Sequence, residues 1–149
     1  MINEELKLRG DVAIVLKDKD GKVKDSRVIH NLVVNSGLTF ICSRMGGTSA
    51  GVMSHMALGS GTTAASSGQT DLVSILGSRE ALDSTSASSN TITYVSSFEA
   101  GEGTGAVTEA GVFDGASSGT MLCRTVFAVV NKQADDTMSV TWTITLTAS

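Results

Sequence analysis

Glu109, Arg124 and Arg79 are charged residues set inside segments that are otherwise apolar or small. Glu109 stands in Thr108-Glu109-Ala110-Gly111-Val112-Phe113, and Arg124 in Met121-Leu122-Cys123-Arg124-Thr125-Val126-Phe127. A carboxylate beside a guanidinium can act as an acid with a cationic helper. Equally, a charge taken into an apolar interior needs a partner, and a lone acid does not make the pair that acid/base catalysis uses. The three are therefore read as structural charges that hold strand register or a subunit contact.

The remaining chemistry-bearing residues are sparse. His30 and His55 each sit within or beside a strand-like run, and no Gly-x-Ser-x-Gly turn supplies a nucleophile for either. Cys42 and Cys123 fit no metal or redox spacing and are read as reduced, buried, small hydrophobes. Together with the histidines they are too scattered for a metal site. Gly59-Ser60-Gly61-Thr62-Thr63 resembles a phosphate loop in outline, yet it lacks the Gly-Lys-Ser/Thr that reaches a phosphate and the third glycine of a dinucleotide fingerprint. Gly101 to Gly105 fails the same tests. Asp18 and Asp20 suggest a calcium loop, but Gly21 falls too early and no bidentate Glu follows. No catalytic residue, cofactor or metal ligand is assigned.

The elements that must position these residues are mostly strands. Residues 6–17 and 22–34 read as two strands joined by Asp18-Lys19-Asp20-Gly21, a hairpin signal because Gly accepts positive φ. Ser36 to Met45 reads as a helix capped by Asn35 or Ser36, with Leu38, Ile41, Cys42 and Met45 as its apolar stripe and Gly46-Gly47 as its stop. Met53 to Leu58 reads as a short strand. Residues 59–68 and 83–90 read as exposed loops, with one helical turn between them on Leu72, Ile75 and Leu76. The last third reads as four strands, at about 91–100, 106–113, 119–130 and 137–147, with Gly-rich connections. In the final strand Val140, Trp142, Ile144 and Leu146 face one way and a Thr ladder faces the other. Trp142, the single Trp, is the expected core anchor. This pattern predicts a mainly β fold, a jelly-roll-like antiparallel β-sandwich with one short helix. Residues 1–6 read as an N-terminal arm and 7–149 as a single sandwich domain.

Composition sets the outer limits. A chain of 149 residues can bury about 70% of its unfolded surface in one core. A mean hydropathy of +0.16 argues against general disorder. The net charge of −4 comes without a basic cluster, so no nucleic-acid partner is expected. No run approaches the roughly 20 apolar residues of a membrane span, so no membrane partner is expected either. Met1-Ile2-Asn3-Glu4-Glu5 lacks an apolar signal region, and no export is expected.

Several stretches resemble a pattern found in tailed-bacteriophage virion proteins. They are Met56-Ala57-Leu58-Gly59-Ser60-Gly61-Thr62-Thr63, Leu76-Gly77-Ser78-Arg79, the Glu109 and Arg124 segments quoted above, and Ser139-Val140-Thr141-Trp142-Thr143-Ile144-Thr145. That family includes small capsid decoration (cement) proteins and modules of tail fibres and tail tips. It often has Pro after the position of Thr63, whereas this chain contains none. The resemblance implies a non-enzymatic virion structural protein, with Glu109 and Arg124 as structural residues.

The leading expectation is a decoration protein, made in the host cytoplasm, that binds the outside of the major capsid shell and stabilises it. The implied partners are the major capsid protein and the chain itself, as a homotrimer. Ile2, Glu4, Glu5 and Leu6 are the candidate capsid or subunit contacts. The alternative is a tail-associated or fibre-base module that contacts a tail protein or a host receptor. A carbohydrate-binding or hydrolytic sandwich would call for several exposed aromatics or paired acids, against one Trp and one Tyr here.

Overall fold

Apolar residues at every second position make the first strand. Val12, Ile14 and Leu16 are buried on β1 (Leu6–Lys17) while their neighbours Ala13 and Val15 are half-exposed. β1 turns into β2 (Val23–Val33) at Asp18, whose carboxylate accepts from the backbone N–H of Asp20 (2.9 Å) and Lys22 (3.0 Å), with Gly21 at φ 80°. The aspartate that suggested calcium therefore caps a hairpin. The computed structural model describes residues 4–47 and 51–148. After β2 come α1 (Asn35–Met45), β3 (His55–Gly59), β4 (Glu80–Ala81), β5 (Ser84–Ser88), β6 (Thr91–Phe98), β7 (Gly105–Phe113), β8 (Met121–Lys132) and β9 (Thr137–Ala148).

The strands form one antiparallel sheet in the order β4-β3-β7-β8-β2-β1-β9-β6-β5. β2 belongs to both halves. Up to Asn31 it pairs with β1, and then Leu32 and Val33 pair with Arg124 and Cys123 of β8. The sheet bends at this seam into two leaves that face each other. Val12, Ile14, Tyr94, Phe98, Val140 and Trp142 of one leaf close on Met56, Leu58, Val107, Val112, Cys123 and Val130 of the other. The chain is mainly β, with antiparallel strands, one helix and two facing layers, as the alternation predicted. The layers are halves of one curled half-barrel.

Four local expectations are corrected. The segment 83–90 is not a loop throughout: Ser84–Ser88 is a strand paired residue for residue with β6. No helical turn forms between 71 and 82; Leu72 is buried, Leu76 packs on the main core, and Ile75 is 45% exposed and bridges to Gly59. The helix caps and faces differently as well. Val34 is its N-cap, and the Ser36 hydroxyl donates instead to the Met121 carbonyl (2.8 Å). A Cβ at Gly37 would lie 2.1 Å from the Leu122 carbonyl oxygen, so glycine sets how closely the helix approaches β8. That contact turns Gly37, Phe40 and Ile41 inward and leaves Met45 83% exposed and Cys42 exposed. Finally, Leu6, expected in an arm, belongs to β1 opposite Ala148; residues 1–3 of that arm lie outside the described residues.

Trp142 has no exposed surface and donates through Nε1 to Asn31 Oδ1 at 3.0 Å. Gly10 makes room for that asparagine, since a Cβ there would lie 1.3 Å from Oδ1. Trp142→Ala is expected to lower stability by about 3–5 kcal/mol in urea unfolding followed by circular dichroism. Trp142→Phe should cost less but still measurably, because the buried Asn31 acceptor loses its donor.

Candidate functional site

β7 is buried on both faces along most of its length, which alternation alone does not demand. Its inner side meets the opposite leaf. Its outer side lies under residues 60–79, a long connection from β3 to β4 that crosses the sheet as a strap. Leu72 from this strap closes a second small core with Val34, Ala57, Phe113 and Met121.

Glu109 organises the strap. Its Oε1 accepts from the backbone N–H of Gly61 (3.0 Å) and Ser74 (2.8 Å), and its Oε2 from that of Val73 (3.1 Å). Arg124 Nε donates to Oε2 at 2.9 Å. Arg124 Nη2 sits 2.8 Å from the same oxygen as an ion-pair contact, without the alignment of a hydrogen bond. Nη1 donates outward to the Thr63 carbonyl and to Gln69 Oε1, each at 2.9 Å. Thr108 Oγ1 donates to the Gly61 carbonyl at 2.8 Å. Both side chains of the pair are fully buried. A Cβ at Gly59 or at Gly61 would lie 2.5 Å from Glu109 Oε1. The glycine loop that resembled a phosphate cradle is thus an anion cradle, and its anion is a carboxylate of the chain itself.

Burial pushes the Glu109 carboxyl up, but the N–H groups of Ser74 and Val73, the Arg124 guanidinium and the Gly61 N–H outweigh it and hold it below the ordinary carboxylate range. A general acid or base must reach its substrate. This carboxylate is sealed and engaged on both oxygens, so in this conformation it holds the strap and meets no ligand.

Arg79 lies apart from that pair. It stacks on Phe113 with the guanidinium carbon 3.7 Å from the ring centroid. It donates to the carbonyls of Gly115 (3.0 Å) and Ser118 (2.5 Å) and faces Asp71 at 3.5 Å. The three singled-out charges are therefore two anchors on one leaf: Glu109 with Arg124 in the middle of the strap, and Arg79 near its end.

Of the candidate contact residues, Ile2 lies outside the described residues. Glu4 and Glu5 are exposed ahead of β1, and Leu6 is 61% exposed within it. The histidines fall in separate places. His30 Nδ1 is 2.7 Å from Asp11, on the outside of β2 and β1, and His55 Nδ1 is 2.8 Å from the neighbouring Ser54 hydroxyl. Cys42, expected buried, is exposed, whereas Cys123 is buried and its thiol is pushed well up by burial; both are free. Among the described residues no three His, Cys, Asp or Glu side chains gather to hold a metal, and no helix is long and apolar enough to cross a membrane.

Lys132 is a buried charge with no counterpart in the sequence reading. Its ammonium donates to the carbonyls of Glu99 (2.9 Å) and Asp136 (2.7 Å), and burial pulls its pKa down against the nearby acids. Asp136 in turn accepts from Lys24 at 2.7 Å and from the Gln133 N–H, and both hold its carboxyl low. Polar residues in a loop such as 131–136 ordinarily signal exposure, so no pattern marked them.

Surfaces open to a partner among the described residues include two. One is a cavity of about 190 Å³ between α1 and the inner side of β6 and β9, lined by Phe40, Ile41, Ile92, Tyr94, Leu122, Ile144 and Leu146. Burial, with the nearby Cys123, pushes the Tyr94 hydroxyl in its wall up to about 12. The other is the outer side of the leaf β2-β1-β9-β6-β5. Register places Thr137, Ser139, Thr141, Thr143 and Thr145 of β9 in its centre, Thr91, Thr93, Val95 and Ser97 of β6 on one flank, and Ala13 and Val15 of β1 on the other. These residues are half-exposed and uncharged; on the β1 side they adjoin Arg9, Asp11 and Lys17, which the register sets opposite Thr145, Thr143 and Thr137. Comparison of the chain with protein-family models, with curated proteins and with solved structures finds no match.

Glu109→Gln should lower stability at neutral pH by about 3–5 kcal/mol, as breaking a buried pair does. Because the folded carboxyl titrates below its unfolded value of about 4.3, the stability it contributes is present above that value and lost as pH falls through the folded one. Urea unfolding from about pH 7 to about pH 2 should therefore show the gap between wild type and variant narrowing as acid is added. Asp25 and Asp136, also held low, act equally in both proteins. A gap constant with pH would show that the charge of Glu109 is not what the cradle holds. Combining Glu109→Gln with Arg124→Met should cost clearly less than the sum of the single changes.

Proposed function

We propose that the chain is a non-enzymatic structural protein of a bacteriophage virion, a decoration protein that docks on the outside of the major capsid shell. The observation that carries this reading is the uncharged Ser/Thr face of the leaf centred on β9. Docking a charged face requires charges to be desolvated and re-paired. A face of hydroxyls and small apolar groups instead meets a partner surface at little desolvation cost, and its hydroxyls can donate or accept as the partner requires. The opposite leaf supports the same reading from the other side, because β7 and the first half of β8 are already covered. Repetition of one modest contact over a lattice supplies the holding strength through avidity. Glu4 and Glu5, exposed at the start of β1, are placed to add a polar contact at the rim of the leaf.

The test mixes purified protein with bare capsids of the parent phage. Wild-type protein is expected to bind saturably, with copies in the hundreds per particle, and to raise the temperature at which the shells open. Thr141→Glu with Thr143→Glu places two carboxylates on the face and should weaken binding at least about tenfold, roughly 1.4 kcal/mol, while leaving the thermal midpoint of the free protein within a few degrees. Binding unaffected by both substitutions, or a handful of copies confined to the tail, would overturn the proposal.

A further inference from the structure

The curled sheet ends in two unlike edges. At one end β4 is two residues long and adjoins the strap. At the other, β5 presents five consecutive residues, Ser84–Ser88, all exposed. An edge strand offers a row of unpaired N–H and C=O groups, and proteins guard such edges with charge, proline, bulges or cover. β5 carries no charged residue and no proline, and its register with β6 runs unbroken from Ser84↔Val95 to Ser88↔Thr91.

We propose that β5 is a self-association edge, at which a second copy of this chain adds its own β5 antiparallel, with Ser86 on the two-fold axis. The sequence is self-complementary about that residue. Ser84 falls opposite the second copy's Ser88, and Thr85 opposite its Ala87. One step outward the strand ends, since Ser89 turns at φ 54°, and Asp83, hydrogen-bonded by its own chain's Ser97 Oγ at 2.7 Å, meets no like charge. The contact is thus neutral across its length, which is the charge condition that self-pairing demands. Serines 84, 86 and 88 alternate onto the same side as Thr91, Thr93 and Val95. Pairing therefore extends the Ser/Thr face without interruption from one copy into the next. Antiparallel pairing of a strand with itself is isologous and closes at two copies, which sets it apart from the trimer that the family resemblance implies. The inference goes beyond the capsid reading and is independent of it, because the free protein alone decides it.

The contact is one short strand wide, so the dimer should be weak and concentration-dependent. Sedimentation velocity from low micromolar to millimolar protein is expected to show the monomer mass giving way to the dimer mass. Hydrogen exchange at the amides of 84–88 should slow over the same range. Ser86→Lys brings two ammonium groups together at the axis and should hold the protein monomeric throughout, with an unchanged thermal midpoint because the side chain is exposed in the monomer. A wild-type protein that stays monomeric at millimolar concentration, one that forms a trimer, or a Ser86→Lys variant that dimerises as the wild type does would overturn the proposal.

Discussion

The carboxylate of Glu109 is the constraint around which one whole side of this protein is arranged. A connection from 60 to 79 carries backbone N–H groups that must find acceptors once they leave water, and three of them find this one side chain. The carboxylate in turn cannot be buried alone, and Arg124 on the neighbouring strand supplies its counter-charge. Arg124 Nη1 reaches back to Thr63 and Gln69 in the strap. Carboxylate, guanidinium and strap are thus bound to one another, and a segment rich in Gly, Ser and Thr is held against a sheet with little apolar surface of its own.

That arrangement makes the two leaves unequal. β7 from Val107 onward and β8 from Met121 to Thr125 are covered on both sides, whereas Ala128, Val129 and Asn131 farther along β8 are exposed. β9 and β6 are covered on one side and present hydroxyls on the other. The polar outer row of β9 keeps the strict alternation of a half-solvated antiparallel strand, while β7 has lost it. The side left open is broad, and it is uncharged along β9, β6 and β5 through residue choice, while Arg9, Asp11 and Lys17 of the adjoining β1 carry charge on the same side.

Much of the fold was legible because its signals were local. Hydrophobic alternation marks β1, β6 and β9, Asp18 with Gly21 marks the first turn and so the return strand β2, and the inward placement of Trp142 follows from period two. Glu109 and Arg124 stood out as charges in apolar surroundings, yet their cradle was not legible, since its donors are backbone groups of residues 61, 73 and 74, far away along the chain. Gly59 and Gly61 gave the right kind of hint, an anion held by backbone, while hiding that the anion was internal. The helix face was misread because close approach at Gly37 outweighs the apolar count of Leu38, Cys42 and Met45. β5 was missed because Ser-Thr-Ser-Ala-Ser has little strand propensity, and its pairing with β6 is what makes it a strand.

The seam between the leaves has a mechanical meaning. β1 and β9 are zipped over twelve residue pairs, whereas β2 joins β8 through Leu32 and Val33 alone, with Val34 N–H, Ser36 and Thr125 adding single bonds nearby. Farther along, the two strands diverge, and Arg27 spans the gap to the carbonyls of Ala128 and Val129. The leaves are therefore stiff plates connected in series by a narrow ligament. A force pulling them apart concentrates at that ligament, where Arg124 is at once a paired residue of the seam and the anchor of the strap. Opening the seam and loosening the strap are thus coupled through Arg124, while at the far end of the curl Ser96 Oγ still ties β6 to the Ala81 carbonyl of β4.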